Sequence, residues 1–216
     1  MQTLFSSDIL LSSNQTYPYE ASQLMRIQYN SPVILTFSIV AVLIHIVTEF
    51  TALDISKLFF TVYDPMSIKD LGAYCRLFSH VLGHASWTHL TGNLTFILLL
   101  GPILEERYGS RTVLIMILAT ALITGFVHIA VPLFDNMGLR GASGIVFMLI
   151  VLSSFVNVKR GTIPLTFILI AVLYLGKEIV SVLEHDNISQ MAHIVGGALG
   201  SFFGFALQDE NLRPSA

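Results

Sequence analysis

The sequence predicts an all-α membrane protein, a polytopic bundle of six transmembrane helices, and three observations predict it. The 216 residues are 54% apolar and only 12% charged, roughly half the charged share of an ordinary soluble domain. The mean hydropathy is +0.74. The charges are clustered, leaving charge-free stretches at 27–48, 77–104, 112–134, 141–158, 161–176 and 187–208. Crossing a hydrocarbon core takes about 20 helical residues, with a range of about 17 to 25. Five stretches are long enough, and the fifth becomes so by continuing past Lys177.

The first helix is expected at about 31–49, behind a polar N-terminal segment, 1–30, whose only basic residue is Arg26. That segment lacks the charged start and apolar run of a cleavable signal peptide, so the first span is its own insertion signal. The one long connection follows, about 50–86. It mixes Asp54, Lys57, Asp64, Lys69, Asp70 and Arg76 with Leu58, Phe59, Phe60 and Leu71, a composition suited to folding onto the membrane surface. Further helices are expected at about 87–106, 111–132, 142–158, 162–183 and 190–208, and residues 209–216 form a tail. Pro32, Pro132 and Pro164 fall near helix ends, where proline does least harm. The membrane domain is thus 31–208, with no second domain.

Orientation follows from short basic loops, which are held on the cytoplasmic side. Lys159 and Arg160 lie between the fourth and fifth spans, Arg107 and Arg111 between the second and third. Both loops, and with six spans both termini, are expected in the cytoplasm. The net charge of −3 gives no basic surface for nucleic acid. Cys75, the single cysteine, excludes an intramolecular disulfide and any cysteine-rich metal site.

Ionisable side chains inside membrane helices are expensive and pose a functional question. The second apolar stretch holds His80, His84, His89 and Asn93, the sixth holds His193, and the fourth opens with Gly141-Ala142-Ser143-Gly144. His89, Ser143 and His193 each stand 16 residues before the first charge at the inner end of their stretch, Glu105, Lys159 and Asp209. At 1.5 Å per residue the three share one level, roughly 24 Å from the inner boundary and just below the outer face. A serine and a histidine at one depth can form the pair in which the imidazole takes the hydroxyl proton as the oxygen attacks a carbonyl. His89 and Asn93, four residues apart, share a helix face and could bind the oxyanion, together with the Ser143 N–H at a helix start. No intramembrane Asp is available near this level as a third member, so a dyad is expected. Gly196, Gly200 and Gly204 repeat every four residues, with Gly141 and Gly144 around the serine, and small residues let membrane helices approach closely.

His89-x-x-x-Asn93, Gly141-Ala142-Ser143-Gly144 and Ala192-His193-x-x-Gly196-x-x-x-Gly200, on the second, fourth and sixth spans, together resemble the rhomboid intramembrane serine proteases. The resemblance runs from about Arg76 to Leu207 and includes Glu105-x-Arg107-x-Gly109. It implies Ser143 as nucleophile, His193 as base, and His89 and Asn93 in the oxyanion hole. It also implies a water-filled cavity open to the outside, a lipid-facing gate near the second and fifth helices, and no cofactor. The implied substrates are transmembrane segments of other membrane proteins, met within the lipid bilayer. A six-span core without an added helix looks like the bacterial form, hence a plasma membrane. Two positions depart from the pattern: Cys75-Arg76 stands where the family usually has Trp-Arg, and Phe147 where it often has Tyr. Phe147 can still stack on His193.

Plainer roles compete for each residue. A zinc site at His80, His84 and His89 lacks the H-E-x-x-H pattern and a fourth protein ligand, so hydrogen bonding within the outer loop is expected for the first two. His45 and His128 are expected to be buried between helices, and Glu105 to Gly109 to end a helix and do little more. A catalytically silent relative would retain no reason for intact Ser143, His193, His89 and Asn93. A transporter would need intramembrane carboxylates, for which Glu178 is the only loose candidate.

Overall fold

The computed structural model describes residues 28–51, 54–67, 69–131, 138–156, 162–173 and 190–207. Helix α1, Pro32–Phe50, opens with proline at its first turn, where a missing N–H leaves no bond unmade. The next two N–H groups, of Val33 and Ile34, both donate at 3.0 Å to the two carboxyl oxygens of Glu105. Glu105 is buried and sits near the end of α4, so it caps α1 from another helix. It therefore does more than the helix-ending role expected from sequence: each charge-assisted bond of this kind is worth about 1.5–3 kcal/mol. Ile34, Phe37, Ser38, Ala41 and His45 form the buried face of α1. Ile39, Leu43 and Val47 form its exposed, lipid-compatible face.

The long connection carries two short helices, each started by an aspartate whose carboxylate accepts a backbone N–H. Asp54 caps α2, Ile55–Phe59, and Asp70 caps α3, Leu71–Ser79. A 3-10 turn, His80–Leu82, leads to α4, Trp87–Tyr108, whose cap Ser86 accepts from the His89 N–H. The second span thus begins at Trp87, and His80 and His84 lie ahead of it rather than within it as the charge-free stretch suggested. Helix α4 also carries Pro102 in its interior, a position the sequence reading passed over. It ends at Gly109, whose φ of 82° is natural only to glycine, and α5, Ser110–Ala130, follows at once.

Helix α6, Ser143–Ser153, is buried at every residue from Gly144 to Leu152. It is the central helix, packed against α4, α5 and, most extensively, α8, Gln190–Leu207. Between them residues 165–173 form α7, with Leu165, Leu169, Val172 and Leu173 exposed. The remainder of the expected fifth span lies outside the described residues. Among the described helices α1, α4 and α5 are long and apolar enough to cross a membrane, while α6 and α8 are apolar but shorter. The chain is a helical membrane protein, and its described residues contain no strand beyond an isolated antiparallel bridge between Val62 and Leu139.

Candidate active site

The approach to Ser143 is fixed at three successive points. Leu139 exchanges two hydrogen bonds with Val62, at 2.9 and 3.0 Å, tying the segment to the long outer connection. The Gly141 N–H then donates to the His80 carbonyl oxygen at 3.0 Å. Gly141 has φ of 124°, and a Cβ there would lie 2.5 Å from Cε1 of His89. Glycine is thus required twice over, for the turn and for the imidazole packed against it. Ser143 follows as the first residue of α6, so its N–H has no acceptor within the helix.

Helix α8 meets this turn through backbone contact. A Cβ on Gly144 would stand 3.2 Å from the Ala192 carbonyl oxygen, and one on Gly196 only 2.1 Å from the carbonyl oxygen of Gly144. One turn along, a Cβ on Gly200 would lie 2.5 Å from the Met148 oxygen. Phe147, one turn after Ser143, stacks on the His193 ring with centroids 4.2 Å apart and planes 7° from parallel, as the sequence reading expected. Gly144 and Phe147, which flank the face carrying Ser143, therefore touch Ala192, His193 and Gly196 of the facing helix. His193 is buried, with 8% of its surface exposed.

From the other side α4 brings His89 and Asn93. His89 lies against Gly141 and within electrostatic range of His193. Asn93, one turn further along α4, is buried, and its amide Nδ2 donates to no acceptor among the described residues. Such an orphan donor is rare in folded proteins and calls for an explanation. Helices α4 and α8 thus each pack on α6, His89 against Gly141 on one side and Gly196 against Gly144 on the other, with Asn93 one turn from His89 and Gly200 one turn from Gly196.

The other histidines have separate tasks. His80 Nε2 is hydrogen-bonded to the Ala121 carbonyl oxygen at 3.0 Å, and burial pushes its pKa down to about 4. His84 Nδ1 pairs with the Leu82 oxygen at 3.2 Å. Burial chiefly, then the His89 ring, then more weakly His45 and Arg140, lower the His84 pKa to about 3. Both rings are neutral at ordinary pH and brace the outer turn, in keeping with the hydrogen-bonding role expected. His84 in turn meets His89 edge-on at 5.1 Å. His45 and His128 are buried between helices as expected. The sequence did not announce the edge-on contact of His45 with Trp87 at 4.5 Å, nor the charge of Arg140 beside the site.

By its likeness to known proteins this helical membrane protein falls in the class of serine-type intramembrane proteases. A rhomboid domain profile matches residues 71–210, from the start of α3 to beyond α8. Over 143 residues the chain is 27% identical to the rhomboid protease GlpG of Haemophilus influenzae, covering 65% of this chain and 72% of that protein. The chain belongs to the rhomboid family.

Proposed function

We propose that this protein hydrolyses peptide bonds in or near transmembrane segments of other membrane proteins, with Ser143 as nucleophile and His193 as its base. The observation that carries the proposal is the backbone contact of Gly144 with Gly196, with Phe147 stacked on His193. It supports an imidazole held on the helix that faces the serine.

In this reading the His193 imidazole takes the Ser143 proton as Oγ attacks the substrate carbonyl. Negative charge develops on the carbonyl oxygen, where the Ser143 N–H, the Asn93 amide and the His89 ring are available as donors. The imidazolium then gives its proton to the departing amine, leaving an acyl-enzyme. A water, deprotonated by the same imidazole, attacks the ester, and collapse of the second tetrahedral intermediate returns the proton to Ser143. The Phe147 ring lies face to face with the imidazole and limits its rotation while it exchanges the proton.

A fluorophosphonate probe tests the dyad directly. The expected outcome is a single adduct, mapped by mass spectrometry to Ser143, together with cleavage of a labelled transmembrane peptide that Ser143→Ala abolishes. An adduct on another serine, or undiminished labelling of His193→Ala, would refute it. The same reading places the site toward the outer face of a bacterial plasma membrane, with residues 1–30 and 209–216 in the cytoplasm. Cys75, which is exposed, is then labelled by an impermeant thiol reagent from outside intact cells, and labelling only after lysis would invert the topology.

A further inference from the structure

Arg140 stands three residues before Ser143, on the stretch whose backbone is held at Leu139 and Gly141. Among the described residues its charge is poorly answered. Arg76, in the outer connection, bonds to Asp70 at 2.5 Å. Arg140 approaches a carboxylate only at 3.9 Å, between Nη1 and Asp54 Oδ1, beyond hydrogen-bond reach. That carboxylate is already occupied: Oδ1 accepts the Lys57 backbone N–H at 2.9 Å, and Oδ2 pairs with Lys57 Nζ at 3.2 Å. The Arg140 side chain is neither exposed to bulk water nor fully buried, with 21% of its surface accessible. It lies near enough to His84 and His89 to act on both electrostatically. A guanidinium held by its backbone three residues from the candidate nucleophile, with no carboxylate within hydrogen-bond reach among the described residues, is suited to receive an anion.

We infer that Arg140 is a specificity-determining residue that favours substrates carrying an aspartate or glutamate beside the scissile bond. Three residues of chain span at most about 11 Å. An extended substrate passing Ser143 therefore brings Arg140 alongside a side chain within about three positions of the cleaved bond. A guanidinium is suited to this task because its planar fork pairs with both oxygens of a carboxylate. The inference deepens the protease reading by naming a chemical class of substrate for the same site.

The experiment uses the full chain and a set of labelled transmembrane peptides differing only by Glu, Gln or Lys at each position within three residues of the scissile bond. Binding to Ser143→Ala protein and kcat/KM with the native serine are read separately. At one position the Glu peptide is expected to bind about fivefold more tightly than its Gln counterpart, the worth of an ion pair half open to water. That preference should shrink as salt is raised, vanish in Arg140→Gln, return in Arg140→Lys and pass to the Lys peptide in Arg140→Glu. Preferences unchanged across these variants, or no charge preference at any position, would overturn the inference. Binding that follows the charge of residue 140 while no peptide is cleaved by the native serine would uphold the role of Arg140 and refute the protease reading.

Discussion

Replacing Gly196 by alanine adds one methyl group, and the structure says where it lands. An ideal Cβ would lie 2.1 Å from the Gly144 carbonyl oxygen, 2.9 Å from its carbonyl carbon and 3.0 Å from its Cα. All three are backbone atoms, so no rotamer change relieves the overlap. Ordinary contact begins near 3.4 Å, so α6 and α8 must separate by about 1.3 Å at this point. His193 is three residues earlier on α8 and Ser143 adjoins Gly144, so the displacement falls directly between proposed base and nucleophile. A misplacement of about 1 Å can cost roughly a hundredfold in rate, while overpacking costs about 1–3 kcal/mol of stability. Gly196→Ala is therefore expected to lose at least about a hundredfold in turnover yet remain inserted and folded, and valine to be worse. Gly197→Ala is the matched control, because its Cβ would meet only Cγ2 of Val151, at 3.8 Å. The assay pairs peptide cleavage with thermal unfolding in detergent for both variants. Near-native cleavage by Gly196→Ala would show that the helix contact does not position His193, and the account of the site would have to be withdrawn.

Three other predictions rest on separate contacts. Asn93→Ala and His89→Ala should each lower kcat far more than they raise KM, by up to about 2.7–4 kcal/mol in activation energy. An unchanged kcat with weakened binding would make the residue a substrate contact instead. Glu105→Gln leaves one N–H of the α1 start without an oxygen acceptor and should lower stability by about 1–3 kcal/mol, read as a lower thermal midpoint. An unchanged midpoint would remove the capping role. His80 is neutral when folded, with a pKa near 4 against about 6.5 unfolded, so the unfolded chain binds more protons between those values. Stability from its burial is complete above about pH 6.5 and drains away as pH falls toward 4. A thermal midpoint independent of pH across that window would contradict its neutral burial.

Helix positions were legible in the sequence because charge marks where a chain leaves the hydrocarbon, and Lys, Arg, Asp and Glu bracket each apolar run. The candidate site was legible for a related reason, since polar residues at one depth in apolar helices stand out against their surroundings. Where charge is silent, sequence reasoning lost resolution. The run 77–104 contains no charge, and although the helix start at about 87 was expected, nothing local foretold the fit ahead of it, where a Cβ on Gly83 would lie 2.6 Å from the Phe60 carbonyl oxygen. Helix α6 reads like any other apolar span, and only its packed neighbours reveal that it is central. The Glu105 cap joins residues 71 and 72 positions apart, and no local pattern encodes a contact of that range. Arg140 was visible as a charge, but the weakness of its pairing depends on where Lys57 directs its own N–H and ammonium.

The way these helices are held together bears on why the proposed site needs no buried carboxylate. Lipid tails are as apolar as leucine, so helices associate through close packing and polar contacts rather than through expulsion of water. The backbone contact of Gly144 with Gly196 supplies that packing, and in the proposed dyad it is also what brings Ser143 and His193 to facing positions. An aspartate at this depth would add an expensive charge merely to orient an imidazole. Phe147 achieves part of that task without charge, since its ring lies 4.2 Å from His193 and nearly parallel to it, restricting rotation of the imidazole out of its plane. What the aromatic face cannot do is accept the second ring N–H, so fixing the tautomer falls to the hydrogen-bonding environment of His193 rather than to the stack. The glycine contact therefore carries both the stability of the helix pair and the geometry of the proposed dyad, whereas Phe147 serves the geometry with little share in the backbone contact.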